Sequence, residues 1–295
     1  MILLSIAHAS NPAYMNGVGH PISLDEQESR RLSGMAHGTL RDALGHLEEF
    51  NSGQHRWTNL GSNGDVKLFS QNVGASLPMF LGQLTASSSC SASVADLTAV
   101  ILSDACRRFW DPSYLASHVL CACGDSRSAV LCTEQKGSPV SAAALWTNVC
   151  TARHVRKEQG ERITYAATSV PSDFRKEHQR TLSTWGRDKK ELITNIWAMD
   201  VLRTQDQVQF SFMLLSEASS FLLPNFMLKQ VLASWLGVCV NSVWRMSTSG
   251  MTPKGSICLA PITDEDDTEM IMLGSRQLPV SGPVIIQLAS ENGSG

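Results

Sequence analysis

The residues with the greatest chemical capacity in this chain are its cysteines, its histidines and one Gly-Asp-Ser block. Gly124-Asp125-Ser126 places a serine where it could act as a nucleophile, but hydrolysis would also need a downstream catalytic histidine. The last histidine is His178, and no Gly-x-Ser-x-Gly elbow occurs. His118, Cys121 and Cys123 come nearest to a metal-ligand set. On an alternating strand, however, the two cysteines share one face and His118 takes the other. The remaining cysteines, of eight in all, are scattered through apolar segments, with no Cys-x-x-Cys and no second cluster at zinc spacing. They read as buried reduced thiols. Neither catalysis nor a cofactor nor a metal is expected.

Charge narrows the partners. The chain has 295 residues, a net charge of −3 and 43% apolar residues, which suits a globular protein with a real core. A negative balance argues against nucleic acid, whose phosphates require a basic footprint. Residues 153–190 nevertheless carry ten Lys/Arg against five Asp/Glu. Two readings stand side by side for that excess: contact with anionic lipid head groups, about 1 kcal/mol per charge, or solvated hairpin tips and a polar loop. The acidic run Asp264-Glu265-Asp266-Asp267-Thr268-Glu269 reads as a solvated tail. The short run Met1 to Ala7 lacks the basic lead of a signal peptide, and no stretch approaches the ~18–20 apolar residues of a membrane span. A cytoplasmic location, peripheral at membranes, is the expectation.

The elements that would position these residues follow from periodicity. Ser23-Leu24-Asp25-Glu26 has capping-box form and predicts a helix with Leu32, Met35, Ala36, Leu40, Ala43, Leu44 and Leu47 on one face, ending at Asn51-Ser52-Gly53. Short strands follow from Trp57 to about Leu84, then a helix begun by Ser91-Ala92-Ser93 that stops before Trp110-Asp111-Pro112. Strands return at His118–Cys123, Ala129–Thr133, Ala144–His154 and Arg162–Val170, the last two joined by Glu158-Gln159-Gly160-Glu161. After a polar segment, 171–190, come Asn195–Leu202 and Val208–Leu215, a further antiparallel pair. Pro224 opens a long helix to about Met246, with Leu228, Val231, Leu232, Trp235, Val238, Cys239, Val243 and Met246 as its apolar stripe. The fold class is α+β: an antiparallel sheet with the last helix lying across it. Between such a sheet and helix an apolar cavity is expected.

Five stretches in this order carry a resemblance. Trp57 to Phe69, Leu97 to Asp111 with its Trp110-Asp111 pair, Pro139-Val140-Ser141, Gly160 to Val170 ending in Ser169-Val170, and Leu222 to Phe226 resemble the START domain. The chain is similar to divergent fungal or oomycete members of this StAR-related lipid-transfer family. The likeness implies the helix-grip fold, a curved sheet wrapped around the long C-terminal helix, and a non-enzymatic function: a lipid (sterol, phospholipid or other) held in an apolar cavity for transfer or sensing. The alternative is a regulatory or scaffold domain with its cavity filled. A polyketide-cyclase-like enzyme on a related fold is disfavoured, because no convergent acid/base set is present.

The implied organisation is a flexible N-terminus at 1–22, an N-terminal helix at 23–54, the lipid-binding domain at 55–247, and a Pro/Gly-punctuated acidic tail of linker character at 248–295. The family register turns Leu145, Thr147 and Val149 of the central strand toward the cavity. Phe210 and Phe212, with Leu228, Leu232, Trp235 and Cys239 of the last helix, complete the lining, unless the same residues fill a solid core. Two departures stand out. The family's charged triplet after Pro-x-Ser is Ala142-Ala143-Ala144 here, and its cavity arginine falls at Val149. Both predict a ligand held by shape and burial, with transient contact at a membrane surface as the other partner.

Overall fold

The computed structural model describes residues 22–250 apart from 54–55, 74–77, 91, 125–126, 138–142, 158–159, 187–188 and 218–224. The expectations for residues 1–21, for Asp125-Ser126, for Pro139-Val140-Ser141 and Ala142, for Leu222-Leu223-Pro224 and for the tail from Met251 therefore lie outside the described residues.

Helix α1 (Glu26–Asn51) opens the described chain, and its N-cap is Asp25, whose carboxylate accepts from Glu28 N, rather than Ser23. Asp25 sits one residue before the helix with extended backbone, where a short acceptor side chain reaches a free first-turn N–H. Strands β1 (Trp57–Asn63), β2 (Val66–Gln71) and β3 (Met79–Ser87) follow. The single helix expected before Trp110 is two helices, α2 (Val94–Leu102) and α3 (Asp104–Trp110). Ser103 ends the first and caps the second, its hydroxyl accepting from Cys106 N.

Strands β4 (Tyr114–Ala122), β5 (Ser128–Gln135), β6 (Ala144–Lys157) and β7 (Gly160–Ser169) come next. The segment expected to be only a polar loop holds α4 (Ser172–Glu177), α5 (Gln179–Gly186) and the two-residue β8 (Lys190–Glu191). The chain closes with β9 (Thr194–Thr204), β10 (Gln207–Ser216) and α6 (Asn225–Thr248).

Nine of these strands form one antiparallel sheet in the order β1-β2-β3-β10-β9-β7-β6-β5-β4, and β8 adds a parallel pair to β6. The helices divide between its faces. α1 packs on one, where Leu32 and Ala36 meet Val130, Leu145 and Val149, while Leu40 and Leu47 meet Leu81, Ala198 and Met213. α6, with α2 and α3, covers the other. The two-residue period of a strand makes this division consistent: Phe210, Phe212 and Leu214 look to α6, Met213 and Leu215 to α1.

α6 lies directly on β3. A Cβ on Gly82 would stand 2.7 Å from Leu236 Cδ2 and 3.3 Å from Val240 Cγ2, so only glycine lets the helix so close. A second contact fixes its height: a Cβ on Gly237 would meet Asn63 Cβ at 2.8 Å, and Asn241 donates to Asn63 O at 2.8 Å. Leu236, Cys239, Val240 and Val243 are thereby wholly buried. Burying each such side chain is worth about 1.5–3 kcal/mol. Val238, expected in the stripe, is 41% exposed instead.

Salt bridges tie the α4–α5 segment down. Arg31 of α1 grips Asp173 bidentately (2.7 and 2.9 Å), Arg175 meets Glu191 at 2.9 Å, and Lys189 meets Glu134. The Arg31 hydrogen bond pulls the Asp173 carboxyl down to about 2. A lowered carboxyl stabilises the fold above its unfolded pKa, and that contribution is lost as pH falls through the folded value.

Two outcomes are expected. The protection of α4 amides, their exchange measured relative to the unfolded chain at the same pH, should fall as pH drops from about 4 toward 2, and Arg31→Gln should remove that acid step; an unchanged profile in the variant would show that the pair does not hold α4. Gly82→Val should lower the unfolding free energy in urea by about 1–3 kcal/mol, and Leu236→Ala in the same chain should offset part of the loss. Strictly additive losses would contradict direct seating of the helix.

Candidate functional site

The space between α6 and the sheet is occupied by aromatic side chains from five elements. Tyr165 of β7 meets Trp197 of β9 edge-on at 5.4 Å, Trp197 meets Phe212 of β10 at 4.9 Å, and Phe212 meets Trp235 of α6 at 5.5 Å. Trp110 of α3 lies 6.4 Å from Trp197, its indole N–H donating to Val100 O at 3.1 Å. Edge-to-face pairs at these separations add about 0.5–1.5 kcal/mol each beyond the area that they bury.

A charged pair stands inside this cluster. Arg107 of α3 points its Nε at Asp111 Oδ2 (3.3 Å), and its guanidinium lies over the rings of Trp110, Tyr114 and Trp197 at 5.5, 5.0 and 5.1 Å. Arg107 precedes Asp111 by four residues, one helical turn, which brings both onto the same side of α3. Asp111 is also held by Ser113, whose N–H and hydroxyl donate to Oδ1 at 3.0 and 2.6 Å. The pair reaches α6: burial raises the Cys239 thiol well above its ordinary value, the Asp111 carboxylate adding to that and Arg107 opposing it. A thiol so placed is inert.

Three donors in this interior have no partner among the described residues: Trp146 Nε1, Trp197 Nε1 and Tyr114 Oη, each on a side chain at least nine-tenths buried. An unsatisfied buried donor costs about 1–3 kcal/mol. Two of them, Tyr114 and Trp197, belong to rings that the Arg107 guanidinium overlies, and Trp146 lies in the same apolar cluster as Trp197, so the interior has spare hydrogen-bonding capacity for an acceptor.

An open groove of about 550 Å³ runs between the β1–β2 hairpin and the first half of α6, lined by Leu60, Ser62, Leu68, Lys229, Ala233 and Ser234. Its floor, Leu68 and Ala233, belongs to the same apolar cluster as Phe212 and Trp197. The volume lies within the range of small-molecule pockets, about 300–1,000 Å³.

Phe210, Phe212, Leu232 and Cys239 are brought together here, with Trp235 packed against them. Leu228 lies in the first turns of α6, and its side chain is outside the described residues. The central strand departs from expectation. Leu145 and Val149 pack in the α1-side cluster, and Thr147, paired across from Cys132 of that cluster, shares their face. The face of β6 that meets α6 is Trp146 and Cys150. Val149 therefore cannot stand where an interior arginine would, and the charged group of the interior is Arg107.

A bulge corrects a second reading. The register of β4 on β5 shifts between Val119 and Cys121, so His118 and Cys121 share the α1 face instead of opposing each other. His118 there pairs with Glu134 at 3.0 Å. Burial works to raise the Glu134 carboxyl, but the hydrogen bonds from Lys189 and His118 outweigh it and hold the group low.

No family model matches the chain, and no curated protein matches it in sequence. Its architecture does have solved counterparts. Human StAR-related lipid transfer protein 5 superposes with a TM-score of 0.60 at 10% identity, over 76% of this chain and 100% of that one. The fold is START-like. Human STARD10 superposes at 0.51 with 10% identity, over 92% of this chain and 97% of that one. The lipid transfer and protein localization domain of human StarD13 gives 0.51 at 10% identity, over 70% and 95%. Identity at this level speaks for the START fold alone: a helix-grip sheet with α6 as the gripped helix. The side chains that meet α6 are this chain's own.

The buried pair generates a direct prediction. Asp111→Asn leaves the Arg107 charge buried without its counterion and should destabilise by about 3–5 kcal/mol in urea denaturation. Replacing both residues together, Arg107→Met with Asp111→Asn, should cost less than the single change. A larger cost for the double variant would contradict the pairing.

Proposed function

We propose that this chain is a non-enzymatic lipid-binding module that shelters a hydrophobic ligand between α6 and the sheet, for lipid transfer or sensing in the cytoplasm. The observation that carries the reading is the interior itself: an apolar, aromatic enclosure with three unpartnered donors, two of them (Tyr114 and Trp197) on rings beneath the Arg107 guanidinium. A wholly apolar core has no use for such donors, and each is costly until an acceptor meets it. The ligand that fits is an apolar body with one oxygen acceptor at its inner end, received by Trp197 Nε1, Trp146 Nε1 or Tyr114 Oη. Burial of its apolar surface supplies the affinity, at about 25 cal/mol per Å². This revises the expectation of a ligand held by shape alone.

The groove beside Lys229 is the proposed mouth, because its floor is continuous with the interior cluster. Half-exposed Met227 and exposed Lys229 at the start of α6 give that mouth an apolar and a cationic group to set against a membrane. Release would require the first half of α6 to lift from the β1–β2 hairpin.

One observation favours a second reading, a regulatory domain with a filled interior. α6 touches the sheet at Gly82, and the aromatic rings already pack against one another. The two readings separate in one experiment. The chain is incubated with phosphatidylcholine vesicles containing cholesterol and oleic acid, re-isolated and weighed by native mass spectrometry. The lipid-binding reading expects a one-to-one adduct, with several-fold less retained by Trp197→Phe, which keeps a ring and loses the N–H. Absence of any adduct supports the filled interior.

A further inference from the structure

Resting on the lipid-binding reading, we infer that the interior selects its ligand by head group: a neutral carbonyl, as in a sterol ketone or a fatty-acid ester, is taken in preference to the matching alcohol or carboxylic acid. Unpartnered donors outnumber free acceptors in this interior. Trp197 Nε1 and Tyr114 Oη are unpartnered among the described residues, on rings that the Arg107 guanidinium overlies at 5.1 and 5.0 Å. Trp146 Nε1 is unpartnered in the same apolar cluster as Trp197. An indole can only donate. The third indole of the cluster, Trp110, already gives its N–H to Val100 O.

The acceptors beside these rings are engaged. Asp111 Oδ2 takes Arg107 Nε at 3.3 Å, and its Oδ1 takes the Ser113 N–H and hydroxyl at 3.0 and 2.6 Å. Asn148, between Trp146 and Cys150 on the α6-facing side of β6, already accepts from the Ser169 hydroxyl at 3.0 Å through its Oδ1.

That balance sorts the head groups. A carbonyl oxygen has two lone pairs and no proton, so it accepts up to two of these donors and adds none. An alcohol brings a proton of its own. Given to Tyr114 Oη, that proton leaves the Tyr114 hydroxyl still without an acceptor; placed elsewhere, it is itself unpaired, and a buried donor without a partner forfeits its hydration without return. A carboxylate fails on charge. Arg107 is matched by Asp111, so a second carboxylate would leave a net negative charge in an apolar enclosure. Protonated, the acid carries the same surplus donor as the alcohol.

The test is retention of matched ligands by the full chain. Cholestanone and cholestanol form one series; methyl oleate, oleyl alcohol and oleic acid form the other. Each is presented singly from cyclodextrin at neutral pH, the chain is re-isolated, and the bound ligand is extracted and quantified by mass spectrometry. The apolar body is shared within each series, so a difference reports the head group. The ketone and the ester should be retained about tenfold more than their alcohol and acid counterparts. Trp197→Phe and Tyr114→Phe each keep a ring and lose one donor, and at least one of them should bring those ratios toward one. Equal or better retention of the alcohols or the acid would overturn the head-group assignment and leave the lipid-binding reading standing. A carbonyl preference unchanged in both variants would overturn the assignment to these donors. Retention of nothing from either series would overturn both readings together.

Discussion

The seating of α6 on the sheet is the contact on which the rest of this structure depends. Gly82 and Gly237 remove the two side chains that would hold helix and strands apart, one on each partner. With them absent, Leu236, Cys239, Val240 and Val243 come down onto β3 and the neighbouring strands and are shut off from water. The aromatic cluster, α2 and α3 then close around the same helix. Among the described side chains of the first turns of α6, Met227, Lys229 and Gln230 are exposed, and the groove opens there toward β1 and β2.

Inside the clamp, polar groups are placed with more care than a core requires. Arg107 is neutralised by Asp111, and its flat guanidinium is stacked among three aromatic rings. An arginine suits this position because its charge is delocalised and it is weakly hydrated. A buried pair of this kind is weak evidence for stability, since desolvation offsets most of the attraction. Two unpartnered donors, Tyr114 Oη and Trp197 Nε1, stand on the rings beneath it, which is why we propose that it serves recognition. On the opposite face Asp200 is equally buried; Arg162 and Thr164 donate to its Oδ1 at 2.8 and 2.6 Å, while its Oδ2 has no partner among the described residues.

Much of this fold was legible before any coordinates. The α1 stripe, the β6–β7 hairpin, the β9–β10 pair and the last helix announce themselves through periods of 3.6 and 2.0, and the Trp110-Asp111 pair marks the end of α3. Faces were harder. Leu145, Thr147 and Val149 are as apolar and as buried as Trp146 and Cys150, so β6 reads alike from either side, and a slip of one residue exchanges the two. The bulge in β4 has no glycine to betray it, and it moved His118 to the face of Cys121. Arg107 went unnoticed because its signal is a single i, i+4 spacing to Asp111 at the end of a short helix. Only the tertiary approach of Tyr114 and Trp197 turns that spacing into a site.

The account stands on which face of the sheet receives the ligand. Its most direct test is a crystal structure of the chain after equilibration with lipid vesicles. Density for an apolar molecule between α6 and the strands carrying Trp197 and Phe212, with an oxygen within hydrogen-bond distance of Trp197 Nε1, Trp146 Nε1 or Tyr114 Oη, is the predicted result. Density on the α1 side beside Leu145 and Val149, or an interior unchanged and closed by its own aromatic rings, would contradict it.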